Sequence, residues 1–284
     1  MFDTFKNRLE ITGTLTTVTA LRISKGRSTE PIGSDLPVIK DALGRPLIPG
    51  SSFKGALRSR LESFLRGIDP NLAEDPANYT SSTRNNQVKL LKEKHNNNDL
   101  DLTEELISIT DDIGSLFGTP WMASKFQVRD LTVQPDAWFG QYQERDGVAI
   151  DRDTETAADG KLYDYQVVPA ATPFDFKAVV ENAQDWELGL LMIGLHQFET
   201  EQIPLGGGRS RGLGVVKLEI DKMRWIDVED HPEFLLEYLK KLVMGDETAY
   251  EDAADYKDEW VQKLIDKLLK NNTSQSSPTQ IVQG

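Results

Sequence analysis

The chain of 284 residues contains no cysteine, only three histidines and a net charge of −14. Without cysteine there are no disulfides, thiolate zinc sites or cysteine nucleophiles, so no structural zinc is expected, and a reducing compartment fits. The longest apolar run, around residues 188–195, is too short to cross a bilayer, and the N-terminus lacks a signal-peptide pattern. We therefore expect a cytoplasmic protein with no membrane partner.

The scarce histidines also limit the chemistry. His95, His196 and His231 are far apart, and no two have the spacing of metal ligands. A nuclease that uses histidine is therefore disfavoured.

The acidic net charge argues at first against a nucleic-acid partner, but the charge is unevenly distributed. Residues 1–66 hold eleven Lys and Arg against six Asp and Glu, a net charge of +5, whereas residues 219–270 hold eight against fifteen, a net charge of −7. Two interpretations of the acidic region stay open: a solvated surface, or a surface that faces basic neighbouring subunits. In the second case, deletion of this region would impair assembly with those subunits more than affinity for a nucleic acid.

Periodicity predicts an α+β fold. Alternating or apolar segments predict strands, and apolar residues at helical spacing predict helices. The predicted strands are 8–22, 126–133, 173–180 and 213–220, and the predicted helices are 51–66, 186–198, 232–243 and 260–269. Ser51 is the expected N-cap of the first helix, whose apolar side would carry Phe53, Leu57, Leu61 and Phe64. Up to residue 220 the order strand, helix, strand, strand, helix, strand is that of a ferredoxin-like core.

The remaining segments interrupt or extend this core of residues 1–220. Residues 69–112 are polar and rich in turn formers, which indicates a surface insertion with one short helix. Residues 140–170 resemble a long β-hairpin arm that leaves the sheet and returns. Residues 221–270 form an acidic helical extension, and residues 271–284, uncharged and poor in apolar residues, are expected to be a disordered tail.

The first motif with possible chemistry is Pro49-Gly-Ser-Ser-Phe-Lys-Gly55. The hydroxyls of Ser51 and Ser52, the amides of the first helical turn and Lys54 are expected to converge on one phosphate, and Arg58 would extend the basic stripe by one turn. An ordinary capped helix with exposed basic residues would have the same sequence. The motif is not a P-loop, because its lysine precedes the glycine.

The second motif is Leu205-Gly-Gly-Gly-Arg-Ser-Arg-Gly-Leu-Gly214. Its glycines would let another backbone approach closely while Arg209 and Arg211 meet phosphates. A flexible connection would explain the glycines but not the two arginines. The glycine spacing does not match that of a dinucleotide-binding loop.

Asp35 lies in a loop rich in glycine and proline, just before the first helix. Its carboxylate could bind a divalent ion or position a ribose hydroxyl beside a held phosphate. Aspartates in loops also commonly cap turns, so the residue alone does not decide between these roles.

Five motifs together carry a family resemblance, in the right order between residues 8 and 220. They are Asp35-Leu-Pro-Val-Ile-Lys-Asp41, Leu47-Ile-Pro-Gly-Ser-Ser-Phe-Lys-Gly-Ala-Leu-Arg58, Leu116-Phe-Gly118, Asp146-Gly-Val-Ala-Ile-Asp-Arg152 and Leu205-Gly-Gly-Gly-Arg-Ser-Arg-Gly-Leu-Gly214. With these motifs the chain resembles the repeat-associated mysterious protein (RAMP) superfamily. In particular, it resembles the repeating backbone subunit of type III CRISPR RNA-guided effector complexes.

The resemblance implies a modified ferredoxin-like core of the RNA-recognition type, with a thumb hairpin at 140–170 that interrupts the duplex of guide and target RNA. It implies that Asp35 takes part in divalent-metal-dependent (Mg²⁺ or Mn²⁺) cleavage of target RNA, as metal ligand or as substrate-orienting group. The implied guide-RNA contacts are Ser51, Ser52, Lys54, Arg58, Gly207, Gly208, Arg209, Arg211, Arg22 and Lys25, and the implied thumb residues are Ile150, Asp151, Arg152 and Thr154.

The implied partners are the guide (CRISPR) RNA, the complementary target RNA, other copies of this chain or related RAMP subunits, and the large polymerase/nuclease-type and small subunits of the complex. An alternative is a structural subunit of the same kind of complex that binds guide RNA but does not cut. A guide-processing RAMP endonuclease ranks last, because no histidine lies beside the glycine-rich loop or the first helix.

Overall fold

The computed structural model describes residues 4–24, 26, 34–95, 99–147, 163–229 and 231–275. Its main feature is a five-stranded antiparallel sheet with strand order β3-β7-β1-β8-β9. These strands are β1 (Asn7–Thr17), β3 (Phe126–Val128), β7 (Pro173–Glu181), β8 (Val216–Asp227) and β9 (Glu251–Asp252). Two short ladders lie outside it, one of β2 (Leu47–Ile48) with β4 (Leu131–Thr132) and one of β5 (Gln143–Gly147) with β6 (Tyr163–Val167).

The four core strands confirm the predicted fold class. Taken in chain order as β1, β3, β7 and β8, they lie side by side as fourth, first, third and second, as in a ferredoxin-like sheet. Alternate residues of β1 are fully buried, because successive side chains of a strand point to opposite faces. The predicted strand 8–22 ends early, at Thr17. The predicted strand 126–133 is split into β3 and β4.

Two helices, α1 (Gly50–Ile68) and α6 (Asp185–Glu199), bury apolar side chains in the common core. The ring of Phe53 in α1 stacks on Phe198 in α6 at 4.3 Å between centroids and meets Phe176 of β7 at 5.0 Å. Leu57 and Leu61 are buried as predicted, but Phe64 is 37% exposed and Leu65 takes the inward position. The prediction that Phe64 lies on the buried side of α1 was therefore wrong.

The insertion 69–112 contains more helix than the sequence indicated. It holds α2 (Pro76–Tyr79), α3 (Ser82–Lys94) and α4 (Asp99–Ser108), and α5 (Asp112–Phe117) follows it. The prediction of one short helix was wrong, because residues of the types that form turns cap helices here. Asp75, Ser81 and Asp111 each accept a hydrogen bond from a backbone N–H in the first turn that follows.

The base of the predicted hairpin arm is present. Strands β5 and β6 pair from Gln143 opposite Val167 to Gly147 opposite Tyr163, and Val168 bridges to Leu21 beside the sheet. Residues 148–162, which include the predicted thumb residues Ile150, Asp151, Arg152 and Thr154, lie outside the described residues.

The C-terminal extension packs on the core and is not purely helical. Strand β8 continues to Asp227, and β9 adds an edge strand to the main sheet. The helices are α7 (Pro232–Val243) and α8 (Lys257–Gln275), so α8 runs five residues into the segment predicted to be disordered, while 276–284 lie outside the described residues. Gly189 of α6 permits close packing of α8, because a Cβ there would lie 2.1 Å from the carbonyl oxygen of Trp260.

Candidate nucleic-acid interface

The glycine-rich loop 205–214 is shaped by contacts within the protein. Gly206 and Gly214 have φ angles of +73° and +87°, and a Cβ on either would lie 2.1 Å from a carbonyl oxygen, that of Arg22 or Leu205 respectively. Only glycine fits such positions without strain. Around Gly207, in contrast, the space is open. Close approach by the chain itself therefore accounts for two of the glycines, and room for a second molecule remains at Gly207.

The loop is bonded to the segment that follows β1, and this places Arg22 beside it. The N–H of Gly207 donates to the Arg22 carbonyl at 2.8 Å, and the N–H of Gly214 donates to the Ala20 carbonyl at 2.9 Å. Arg209 and Arg211 lie in a short 3₁₀ turn of the loop, and both side chains are exposed. The predicted residues Arg22, Gly207, Gly208, Arg209 and Arg211 are thus brought together, while Lys25 lies outside the described residues.

Two tyrosines of the arm base lie between these arginines. The guanidinium of Arg22 stands 4.6 Å from the ring centre of Tyr165, and Nη1 of Arg211 donates to the hydroxyl of Tyr163 at 3.3 Å. The hydrogen bond from Arg211, with the charges of Arg211 and Arg22, lowers the pKa of Tyr163. Arginines beside aromatic rings offer a nucleic acid both phosphate contacts and surfaces on which bases stack.

A groove of about 530 Å³ lies between α1 and residues 202–209. Its α1 wall includes Ser51 and Ser52, together with Ser59, Arg60 and Ser63, and its far wall includes Gln202 and Arg209. Ser52, Ser59 and Ser63 recur at helical spacing, so the hydroxyls follow one face of α1 over about 16 Å. This groove offers hydroxyl donors and two guanidinium groups without a carboxylate among its lining residues, which suits a phosphate backbone.

The predicted convergence of Lys54 with Ser51 and Ser52 on one phosphate is wrong. Lys54 Nζ points away from the groove and donates to Ser124 Oγ at 2.5 Å and to the Phe126 carbonyl at 2.8 Å. Burial, together with the nearby charge of Arg58, lowers the pKa of Lys54 to about 8. The Lys54 ammonium group is therefore engaged in hydrogen bonds within the protein and does not face a phosphate in the groove.

Arg58 is held in the same way. Its Nε donates to Glu62 Oε1 at 2.8 Å, its Nη1 donates to the Gly118 carbonyl at 3.0 Å, and its guanidinium lies 5.5 Å from the ring centre of Tyr79. The basic stripe of Lys54 and Arg58 exists, but it contacts the loops around α5 and β3 and not the groove.

The predicted N-cap was also wrong. Helix α1 begins at Gly50, and no side chain of the preceding Pro49 caps it. The N–H of Gly50 instead donates to Asp130 Oδ1 at 2.8 Å. Asp130 lies in the two-residue break between β3 and β4, and from there its carboxylate reaches the start of α1. The start of α1 therefore already has a negative partner from the chain itself, which disfavours a phosphate at this point.

Asp35 lies beside the arm base. Its backbone N–H donates to Asp164 Oδ1 at 2.9 Å, Leu36 forms a parallel bridge with Tyr165, and the N–H of Gln166 donates to the Leu36 carbonyl at 3.1 Å. The Asp35 side chain is half-buried, and no hydrogen bond to its carboxylate is found within the described part of the chain. Its loop also pairs with the Arg22 segment, through the bond from the Ile39 N–H to the Ile23 carbonyl at 2.9 Å.

The oxygen groups near Asp35 partly suit a divalent cation. Ser34 Oγ and Gln166 Oε1 are buried and lack a hydrogen-bond partner, and the Asp35 carboxylate is close in sequence to the first of them. Within the described ranges, no group of three or more Asp, Glu or His side chains is close enough to form a complete protein cage. With Asp35 as the single carboxylate, the residues present fit Mg²⁺ or Mn²⁺ in the form that takes one or two carboxylates and completes its shell with water and phosphate oxygens.

Sequence reasoning missed several residues of this interface. Ser59, Arg60 and Ser63 continue the helical spacing of Ser52, which could have identified them. Asp164 and the tyrosines of β6 had no comparable signal, because their position beside Asp35 and Arg22 depends on tertiary structure. In the described ranges, no helix is both long and apolar enough to span a bilayer.

Comparisons with known proteins agree with this architecture. The sequence profile of the RAMP superfamily matches residues 14–217, which include the end of β1, the helices α1 and α6 and the glycine-rich loop. The protein named CRISPR system Cms endoribonuclease Csm3 of Enterococcus italicus is 25% identical over 221 residues, which cover 76% of this chain and 92% of that protein. The protein of the same name from Methanocaldococcus jannaschii is 28% identical over 233 residues, covering 78% and 82%. A third, from Mycobacterium tuberculosis, is 50% identical over 56 residues, covering 19% and 24%.

The matched region includes the glycine-rich loop, both walls of the groove and the loop of Asp35, and leaves the whole C-terminal extension outside. The family resemblance of the five motifs is thereby confirmed: the chain belongs to the RAMP superfamily.

Proposed function

We propose that this chain is a guide-RNA-binding backbone subunit of a type III CRISPR effector complex and that it cleaves complementary target RNA beside its arm. The observation that carries this proposal is the position of Asp35. Its loop and the glycine-rich loop are both attached to the arm base, with Arg22 and Arg211 beside them. The names of the relatives, CRISPR system Cms endoribonuclease Csm3, support an endoribonuclease.

In this proposal the groove binds the guide backbone. Arg60 and Arg209 contact phosphates, and the serines of α1 donate hydrogen bonds to phosphate oxygens. Pairing between guide and target supplies the sequence specificity, so the protein needs no base-specific side chains. Other copies of this chain, related RAMP subunits, and large and small subunits are the proposed protein partners.

Cleavage in this proposal uses the nucleophile of the RNA itself. The 2′-oxygen attacks the adjacent phosphorus and loses its proton, while the bond to the 5′-oxygen breaks and that oxygen gains a proton. The products are a 2′,3′-cyclic phosphate and a 5′-hydroxyl. The protein's main task is to hold a nucleotide out of the stack with these three atoms in line.

Asp35 orients the ribose hydroxyl or holds the cation beside the phosphate, with Arg22 and Arg211 near the arm base as phosphate contacts. A bound Mg²⁺ or Mn²⁺ would supply stabilisation of negative charge on the phosphate oxygens. No histidine is needed in this arrangement, which agrees with the three scattered histidines of the sequence.

The test is cleavage of a labelled complementary RNA by the guide-loaded complex, in Mg²⁺ and in EDTA. We expect Asp35→Ala to abolish the cuts assigned to this subunit without loss of target binding, and EDTA to abolish them in the wild type. Glu144→Ala, which removes an exposed carboxylate from β5, is the matched control and should cut normally. Unchanged cuts in Asp35→Ala would leave this chain as a guide-binding subunit without catalysis.

A further inference from the structure

The loop of Asp35 is joined to strand β6 by an isolated β-bridge and by hydrogen bonds on either side of it. The Asp164 carboxylate accepts a hydrogen bond from the Asp35 N–H at 2.9 Å, and two residues further the N–H of Gln166 donates to the Leu36 carbonyl at 3.1 Å. Leu36 and Tyr165 between them form a parallel bridge. The backbone on which Asp35 is mounted is therefore fixed to one leg of the arm.

Of these contacts, only that of Asp164 is made by a side chain, and it acts on the peptide of Asp35 itself. A hydrogen bond to a carboxylate is stronger and shorter than one between neutral groups. The bond from the Gln166 N–H is made to the carbonyl of the next residue, Leu36, and the bond of the Ile39 N–H to the Ile23 carbonyl lies four residues from Asp35. Asp164 is thus placed to set the position of the Asp35 backbone directly.

The strand pairing gives a second reason to assign a specific role to Asp164. Its partner across the hairpin is Asp146, and carboxylates directly opposite each other on two strands repel. An uncharged polar residue at position 164 would keep the hairpin polar without placing a second negative charge opposite Asp146. The bond to Asp35 gives the Asp164 carboxylate a favourable partner that offsets the repulsion.

The arm base connects this contact to the place where RNA would be bound. Strand β6 pairs with β5 along its whole length, and its tyrosines contact Arg22 and Arg211. A displacement of β6 would therefore move the Asp35 loop with it. Reactions that depend on in-line geometry lose rate steeply when a group moves by about 1 Å.

We propose that Asp164 is a positioning residue for RNA cleavage, which holds the Asp35 loop on the arm base through its hydrogen bond with the Asp35 N–H. The inference rests on the proposed function of Asp35. Asp164 is not assigned contact with the reacting atoms, since its role is to place the backbone that carries Asp35.

The first experiment measures single-turnover cleavage and target affinity of guide-loaded complexes with Asp164→Ala, Asp164→Ser, Asp164→Asn, Glu144→Ala and Asp35→Ala. We expect Asp164→Ala and Asp164→Ser to lower the cleavage rate roughly 10- to 100-fold with unchanged target affinity, because a misplaced group costs rate and not binding. Asp164→Asn should restore cleavage, because its amide oxygen can still accept the Asp35 N–H. Glu144→Ala should behave as wild type.

The second experiment does not depend on activity. Hydrogen–deuterium exchange of the Asp35 amide in the purified full chain should be faster in Asp164→Ala and Asp164→Ser than in the wild type, Asp164→Asn or Glu144→Ala. Unchanged exchange in both removal variants would overturn the positioning role even if one of them failed to assemble.

The outcomes separate this inference from the proposed function. Normal cleavage in Asp164→Ala or Asp164→Ser, with inactive Asp35→Ala, would overturn the role of Asp164 alone. Loss of cleavage in Asp164→Asn equal to that in the removal variants would indicate that the charge matters and not the hydrogen bond, which also overturns positioning. Normal cleavage in Asp35→Ala would overturn both proposals.

Discussion

The two polar faces of α1 use the same kinds of residues for different purposes. On one face Lys54 and Arg58 each donate two hydrogen bonds within the protein, three of them to residues outside α1 and one to Glu62 of α1. On the other face the guanidinium of Arg60 lies 4.7 Å from the ring centre of Phe64. Its Nη2 donates a long hydrogen bond of 3.4 Å to Gln197 Oε1, and its Nε has no hydrogen-bond partner within the described part of the chain. A basic residue near a ligand motif is available to a ligand only if the fold has not already engaged it.

The largest stability effect expected from this comparison is at Arg58. Arg58→Ala would leave the carboxylate of Glu62, whose side chain is 7% exposed, with Arg66 as its remaining charged partner. We expect the free energy of unfolding to fall by about 2–3 kcal/mol in urea titrations, because a buried charge loses most of its compensation. RNA affinity of the folded protein should stay unchanged.

Ser59→Ala is the control on the groove side of the same helix, and it should change the free energy of unfolding by no more than about 0.5 kcal/mol. If Arg58→Ala instead kept the stability of the wild type and lost RNA affinity, the face of α1 that carries Lys54 and Arg58 would be the one that binds RNA, contrary to this assignment.

A smaller effect separates two adjacent glycines in the loop. Gly206→Ala combines a positive φ with a Cβ placed 2.1 Å from the Arg22 carbonyl oxygen, so we expect a loss of about 1–3 kcal/mol in the free energy of unfolding. Gly207→Ala meets no atom within 4 Å and should stay within about 0.5 kcal/mol of the wild type.

Guide-RNA binding should weaken in Gly207→Ala all the same, because its methyl group would occupy space left for the RNA backbone. Equal losses in the free energy of unfolding of the two variants, measured by urea unfolding, would contradict this account. In it, the protein's own backbone approaches Gly206 closely, whereas the space beside Gly207 is left for RNA.

The smallest effect is a pH dependence from Lys54. Burial lowers its pKa from 10.5 to about 8, so between these values the unfolded chain holds a proton that the folded chain has released. The contribution of Lys54 to the free energy of unfolding should therefore rise with pH through this window. Lys54→Met should remove this rise when both proteins are unfolded in urea at several pH values from about 7 to about 10. Parallel curves for the two proteins would argue against burial of the ammonium group.

Much of the fold followed from periodicity in the sequence. The predicted helices 186–198 and 232–243 differ little from α6 and α7, and the predicted strand 173–180 is β7 with one further residue. In all three elements apolar residues recur at the spacing of a helix or a strand, and a single sequence displays that spacing directly. The insertion was predicted poorly because its helices bury few side chains, and their capping residues are the same types that form turns.

The candidate site was predictable only in part. The motifs located the glycine-rich loop and Arg209, and they placed Asp35 in a loop before α1. They did not show the side to which Lys54 turns, because that depends on Ser124 and the Phe126 carbonyl, some 70 residues away in the chain. The contact between Asp164 and Asp35 spans 129 positions and has no local signal at all.

The most direct test of the account is the salt dependence of guide-RNA binding by the full chain with both groove arginines replaced. We expect Arg60→Ala combined with Arg209→Ala to weaken binding and to lower the slope of log affinity against log salt by about one for each lost phosphate contact. Lys89→Ala, which removes an exposed charge on α3 away from the groove, should leave both values unchanged. Wild-type affinity and slope in the double variant would contradict the claim that RNA lies between α1 and the glycine-rich loop.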